Sequence, residues 1–223
     1  MDSSHQNILI FGNGLISKDL NLAHRVDNTN EFDLVIRLNE CKILPFHDRI
    51  GWRTDVYTFC ARQTMVDMHG ACREIWWWQN KKQMDLLLSE DNPSNIIAGY
   101  KALEIAGVKH NHFYKIDKSL RDSYLQKRLE LRKNLGEPKS LSCGISVLLA
   151  CEMFLGHSNF KINIAGYDGG VSGHIWDERT NQGLGARPPC PKCNYELPKS
   201  HFFDKEYEWL LSQQEKGVVN IIK

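Results

Sequence analysis

The chain lacks a long apolar run, an excess of one charge and a cysteine count that suits a disulfide framework. No stretch approaches the roughly 18 uninterrupted apolar residues of a membrane-crossing helix, so no transmembrane segment is expected. The opening residues, Met1-Asp2-Ser3-Ser4-His5-Gln6, carry neither the basic nor the apolar region of a secretory signal. Lysine and arginine number 28 against 27 aspartate and glutamate, a net charge of +1. Compact nucleic-acid binders show a basic excess, so nucleic acid is not an expected partner. The 7 cysteines are odd in number and scattered, which suits reduced thiols. A cytoplasmic protein is therefore expected. A membrane-anchored chain trimmed of its anchor would read the same, and peripheral membrane contact stays open. Neither an internal repeat nor a low-complexity segment is present.

At 223 residues and 42% apolar composition the chain suits one globular domain with a continuous core, expected over 1–223. Short apolar runs predict strands at 7–11, 32–38, 55–59, 74–78, 112–116, 160–165 and 218–222. Helical patterns start near Ser17 and cover 81–88, 100–106, 119–135, 144–155 and 202–216. Strands alternating with helices imply an α/β fold: a Rossmann-like, mostly parallel sheet covered by helices on both faces. Ligands of such sheets bind beyond the carboxyl ends of the strands. Residues 7–60 read as a nucleotide-binding half. Residues 140–223 hold a phosphate seat, a long Gly-, Pro- and Cys-rich loop at 166–199 suited to a lid, and a catalytic segment.

Two helix entrances carry the chemistry. Ser142-Cys143-Gly144 precedes an apolar helical run, so free N–H groups and the positive end of a helix dipole converge there. That favours a phosphate. Ser200-His201 opens the last helix, where the dipole disfavours imidazolium and keeps the ring neutral, as a general base requires. The bland alternatives are a capped core helix and an exposed surface histidine. Asp204, three residues on, is placed to orient His201. Glu206 lies roughly 140° around the helix from it and is better suited to bracing a neighbouring segment.

Gly12-Asn13-Gly14 follows the first strand but continues Leu15-Ile16-Ser17, without the third glycine of a dinucleotide fingerprint. A tight nucleotide-facing turn remains, in which Asn13 can pair with a base, ribose or phosphate. Cys190-Pro191-Lys192-Cys193 is half of a zinc set, and no second Cys-x-x-Cys exists, so an unmetallated loop is the stronger expectation. Trp76-Trp77-Trp78 suits sheet packing, with one ring available to a sugar.

Several pieces in order resemble a known family. The first strand with Gly12-Asn13-Gly14, then Val35-Ile36-Arg37-Leu38-Asn39 and Gly51-Trp52-Arg53-Thr54-Asp55, looks like the large sialyl motif of the sialyltransferases, glycosyltransferase family 29. Ser142-Cys143-Gly144 with Ile164-Ala165-Gly166-Tyr167-Asp168 resembles the small motif, His174-Ile175-Trp176-Asp177 the third, and His201-x4-Glu206 the very small motif. Family 42 is similar in outline in the nucleotide half. The resemblance implies a sialyltransferase-type variant of the GT-A fold and transfer of an acidic sugar from a CMP-sugar to a glycan or glycolipid hydroxyl.

It further implies His201 as catalytic base and His174 as a contact to the donor phosphate; packing of His174 against Trp176 is the alternative. Gly12, Asn13, Gly14, Asn39, Ser142, Cys143 and Gly144 would hold the donor nucleotide, with Arg37, Asp204 and Glu206 in support. Asp177 is the next candidate base. The disulfide joining the large and small motifs in animal members is missing, because Ile8 and Leu155 stand at those positions. The chain contains no Asp-x-Asp, the carboxylate pair that many nucleotide-sugar transferases use to hold a metal on a diphosphate. A CMP-sugar has one phosphate, which hydrogen bonds and a helix terminus can stabilise, so no cofactor is expected. A CMP-binding module without transfer activity and an NAD(P)-dependent oxidoreductase are the alternatives.

Overall fold

A computed structural model describes residues 7–12, 14, 16–38, 43, 46–60, 71–78, 109–114, 118–136, 141–155, 160–167 and 203–223. All seven expected strands form, as β1 (Asn7–Phe11), β2 (Leu34–Leu38), β3 (Val56–Cys60), β4 (Ala71–Trp78), β5 (Lys109–Tyr114), β6 (Lys161–Ala165) and β7 (Val219–Ile222). They make one sheet in the order β5-β4-β3-β2-β1-β6-β7, with every pairing parallel. The chain moves outward from β1 to β5, then returns to the other side of β1 with β6 and β7. The order therefore reverses between β1 and β6, which marks the crevice where open α/β sheets bind ligands.

Side chains alternate faces along each strand and divide the core in two. Ile8 and Ile10 join Leu34, Ile36, Ile162 and Ile164 beneath three helices: α3 (Lys118–Leu135), α4 (Cys143–Leu155) and α5 (Phe203–Glu215). Leu9 and Phe11 join Val35 and Ala165 on the opposite face, against α1 (Leu22–Asp27) and α2 (His47–Ile50). Asn163 interrupts the apolar run of β6. Its amide donates to Asn7 Oδ1 at 2.6 Å and accepts from Asn220 at 2.8 Å, so strands β1, β6 and β7 share an amide ladder in place of an unsatisfied polar group.

The segment after β1 differs from the single helix expected near Ser17. Ser17 caps a 3-10 turn at Lys18–Leu20, and Asn21 adopts the left-handed conformation (φ 47°) before α1 begins. Asparagine tolerates that region better than most residues, and one such position ends a helical run without any change in hydrophobic pattern. Helix α2 spans one turn and was not expected either. The helices expected at 81–88 and 100–106, and nearly all of the 166–199 loop, lie outside the described residues.

Arg37 of β2 is fully buried and points to the α1–α2 face. Its guanidinium lies 4.2 Å from the Phe11 ring centroid and donates to the carbonyls of Ile50 (2.7 Å), Gly51 (3.0 Å) and Arg53 (3.1 Å) and to Thr54 Oγ1 (3.0 Å). On the other side of the same loop Asp27 accepts the N–H groups of Trp52 and Arg53, at 2.8 and 2.9 Å. Gly51 turns there with φ 71°, and a Cβ would stand 2.9 Å from the Asp27 carboxylate. Arg37 and Asp27 thus fasten the loop into β3 from its two sides. Arg37→Met should lower the unfolding free energy by about 3 kcal/mol or more, because three buried carbonyls lose their donor. Urea denaturation reads the change, and a loss under about 1 kcal/mol would show that other contacts hold the loop.

Candidate active site

Three segments meet at the carboxyl edge between β1 and β6. Gly12 N–H donates to the Ala165 carbonyl at 2.8 Å, and Gly14 N–H to the Gly166 carbonyl at 2.9 Å, so the loops leaving both strands are joined by their backbones. Gly166 has φ 71°, which glycine adopts without strain. Tyr167 follows it and lies against both Gly12 and the first turn of α4. A Cβ at Gly12 would stand 2.6 Å from Tyr167 Cδ2, and one at Gly144 would fall on the Tyr167 hydroxyl. Glycine is the residue that fits at both positions.

Ser142 opens α4. Its carbonyl accepts from Ser146 N–H at 3.0 Å and its hydroxyl from Ile145 N–H at 3.4 Å, the arrangement of a helix N-cap. Its own N–H donates to Glu206 Oε1 at 2.7 Å. Glu206 comes from α5 and is only 3% exposed. Burial pushes its carboxyl above the ordinary value, while the Ser142 hydroxyl and N–H and the nearby Arg128 guanidinium pull it down. Lys205, beside it in sequence, donates to the Leu135 carbonyl at 2.9 Å and so holds α5 to the end of α3. The helix that His201 precedes is therefore tied at its first turns to both α3 and α4.

Of the residues singled out in sequence, Gly12, Gly14, Ser142 and Gly144 come together at this edge, with Glu206 behind them. Cys143 supplies backbone to the same turn. Arg37 lies beneath the neighbouring loop, fully buried, with its hydrogen bonds made to protein. Asp204 is exposed on α5. Asn13, Asn39, His174, Asp177, Cys190, Cys193 and His201 lie outside the described residues. Among the described residues no three His, Cys, Asp or Glu side chains gather as a metal set, and no helix is long and apolar enough to cross a membrane. Ile8, at one of the positions a family disulfide would occupy, is a fully buried β1 residue. Cys151 is a free buried thiol, pushed up by burial and so chemically quiet.

An open cleft of about 830 Å³ lies elsewhere, along α1, α2 and the 52–55 loop. Its carboxylates already have partners within the protein: Asp27 with the Trp52 and Arg53 amides, Asp48 with Lys18 at 2.6 Å, and Asp55 with Arg53. Lys18 holds the Asp48 carboxyl below its usual value.

No protein-family model matches the sequence, and no curated protein does. Solved structures do match the fold. A mammalian sialyltransferase superposes with a TM-score of 0.55 at 13% identity, covering 99% of this chain and 70% of that one. The chain has a sialyltransferase-like fold. The mammalian enzyme in complex with Gal-beta-1-3GalNAc-ortho-nitrophenol gives 0.53 at 12% identity, covering 99% and 70%. Campylobacter jejuni CstII, solved with cytidine-5'-monophosphate, gives 0.48 at 13% identity over 98% and 79%.

Within this sialyltransferase-like fold, the sequence named Tyr167 in a motif without its packing and gave Glu206 a bracing role without its partner, Ser142. The signal for Tyr167 was available: a large aromatic directly after a central strand needs small residues opposite it, and Gly12 and Gly144 are those residues. The Glu206 bond joins positions far apart in sequence, where no local pattern reports it.

Because burial raises the Glu206 pKa, the folded protein binds a proton at this group more readily than the unfolded chain does. Its contribution to stability is largest below the ordinary value of 4.5 and is lost as pH rises through the folded value. Glu206→Gln does not titrate there. Urea denaturation should therefore show E206Q gaining on wild type as pH rises above 4.5 through the folded value. Glu206→Ala should cost about 1–3 kcal/mol, by leaving the Ser142 N–H unsatisfied.

Proposed function

We propose that this protein is a metal-independent, inverting glycosyltransferase that moves an acidic sugar, sialic acid or a related keto-sugar acid, from a CMP-sugar to the hydroxyl of a glycan or glycolipid. The observation that carries this reading is the junction between β1 and β6, where a glycine loop meets the first turn of α4 in a sialyltransferase-like fold. A loop and a helix entrance side by side suit a nucleoside and its single phosphate.

Asn13 and Asn39 hold the nucleoside in this reading. The phosphate takes hydrogen bonds from the first turn of α4. Glu206 occupies the Ser142 N–H, so the backbone N–H groups of Cys143 and Gly144 take the larger share. His174 contacts the phosphate from the loop. His201 accepts the proton of the acceptor hydroxyl, whose oxygen forms a bond to the anomeric carbon. The bond from that carbon to the phosphate oxygen breaks, and its electron pair leaves with CMP. One displacement inverts the anomeric centre. Asp204 supports the imidazole, and Glu206 keeps α5 in register with α4.

Calorimetry in the presence of EDTA should show CMP binding more tightly than UDP or GDP. Tighter UDP binding, or strict dependence on a divalent ion, would count against the reading. His201→Ala should retain CMP affinity and lose transfer, measured as acceptor-dependent CMP release from CMP-sialic acid, by about a hundred- to ten-thousand-fold. His174→Ala should weaken donor affinity as well as rate. Transfer by H201A within a few-fold of wild type removes this residue from the mechanism and makes Asp177 the next candidate. CMP binding without any release by wild type would favour a binding module.

A further inference from the structure

The ring of Tyr167 lies against the β1 loop at Gly12 and the first turn of α4 at Gly144 with different parts of the same side chain. The Cδ2–Cε2 edge faces Gly12, with 2.6 and 2.7 Å to the place a Cβ would take, beside the Gly166 carbonyl oxygen at 2.4 Å. The Cε1–Cζ–Oη end faces Gly144, where a Cβ would overlap it. A ring lying against side chains is absorbed by their rotamers. A ring lying against glycine backbone sets the distance between the two backbones directly.

The ring is itself anchored. Gly166 precedes it in the left-handed region, at φ 71°, and accepts the Gly14 N–H at 2.9 Å. A Cβ at Gly166 would stand 3.0 Å from the Gly12 carbonyl oxygen and 3.1 Å from that of Gly14. On its other side the Tyr167 ring packs on the core beneath α3, α4 and α5.

We propose that Tyr167 is a positioning residue for the donor: its ring is a spacer that fixes the β1 loop at a set distance from the first turn of α4. This rests on the functional reading above, in which the β1 loop holds the nucleoside and α4 the phosphate. A nucleoside monophosphate is short and stiff, so the span between those two contacts must match it. The hydroxyl oxygen comes nearest to the Gly144 Cβ position, at 2.0 Å, but Cε1 and Cζ follow at 2.3 and 2.4 Å, so the ring keeps most of the contact without the hydroxyl.

Two measurements test the proposal. First, CMP affinity by calorimetry and donor KM are compared in wild type, Tyr167→Phe, Tyr167→Leu and Tyr167→Ala. Y167F, which keeps the ring, should bind CMP within about twofold of wild type, while Y167A should weaken CMP and raise donor KM by about tenfold or more, with acceptor KM unchanged. Y167L takes the place of Y167A if the alanine variant does not fold.

Second, a double-mutant cycle reads the spacer without ligand. Gly144→Ala should lower Tm by about 4 °C or more beside Tyr167, and by less than half of that in the Y167A or Y167L background. An additive cycle overturns the proposal. So does CMP affinity within twofold of wild type in Y167A, a fall in Y167F as deep as in Y167A, or the failure of both Y167A and Y167L to fold. Wild type that binds no CMP while the cycle stays non-additive overturns the functional reading, and with it donor positioning, but leaves the spacer geometry standing.

Discussion

Strand β1 pairs in parallel with β2 on one side and with β6 on the other, and the candidate site is placed by that double pairing. Ile8, Leu9 and Ile10 have no solvent exposure, so both faces of β1 are occupied as fully as its edges. A strand held in this way cannot slip by one residue without moving every side chain to the wrong face. The loop that leaves β1 therefore emerges at a fixed height. The loop leaving β6 emerges level with it, because Phe11 and Ala165 are register partners. The backbone bonds from Gly12 to Ala165 and from Gly14 to Gly166 extend that agreement beyond the last pair of the sheet.

Two buried ionisable side chains do the joining that apolar packing cannot. Arg37 carries several donors in a fixed fork and can serve three carbonyls of one loop at once, a task that a Leu or Met at the same place could not perform. Glu206 is the complementary case. Its carboxylate meets a backbone N–H at a helix entrance, where the dipole favours negative charge, and burial in the same place disfavours it. The balance leaves a group whose pKa is raised but whose hydrogen bond couples α5 to α4. The function proposed above would need such a coupling, since small changes in the separation of a donor seat and a base are costly in rate.

The motif residues accordingly divide into two kinds. Arg37, Gly51, Thr54 and Asp55 support the sheet and its loop from within. Gly12, Gly14, Ser142 and Gly144 shape the surface on which a nucleotide would rest.

The sequence alone determined the strands and the longer helices among the described residues. Strands β1, β2, β6 and β7 are short, mostly apolar runs, which strands buried in a parallel sheet show plainly. Even 74–78, with its three tryptophans, belongs to a strand. The helix entrance at Ser142 and the end of α3 before Gly136 were legible for the same local reason, since caps are written in adjacent residues. The break at Asn21 and the single turn of α2 were not, because one left-handed residue and four helical ones leave no periodic trace. Strand order, the burial of Arg37 beneath residues 50–54, the use of the Ser142 N–H by Glu206 and the wedge of Tyr167 between two glycines were decided only in three dimensions. Each joins segments distant in the chain, and their meeting depends on which strands lie side by side, which no local run of residues encodes.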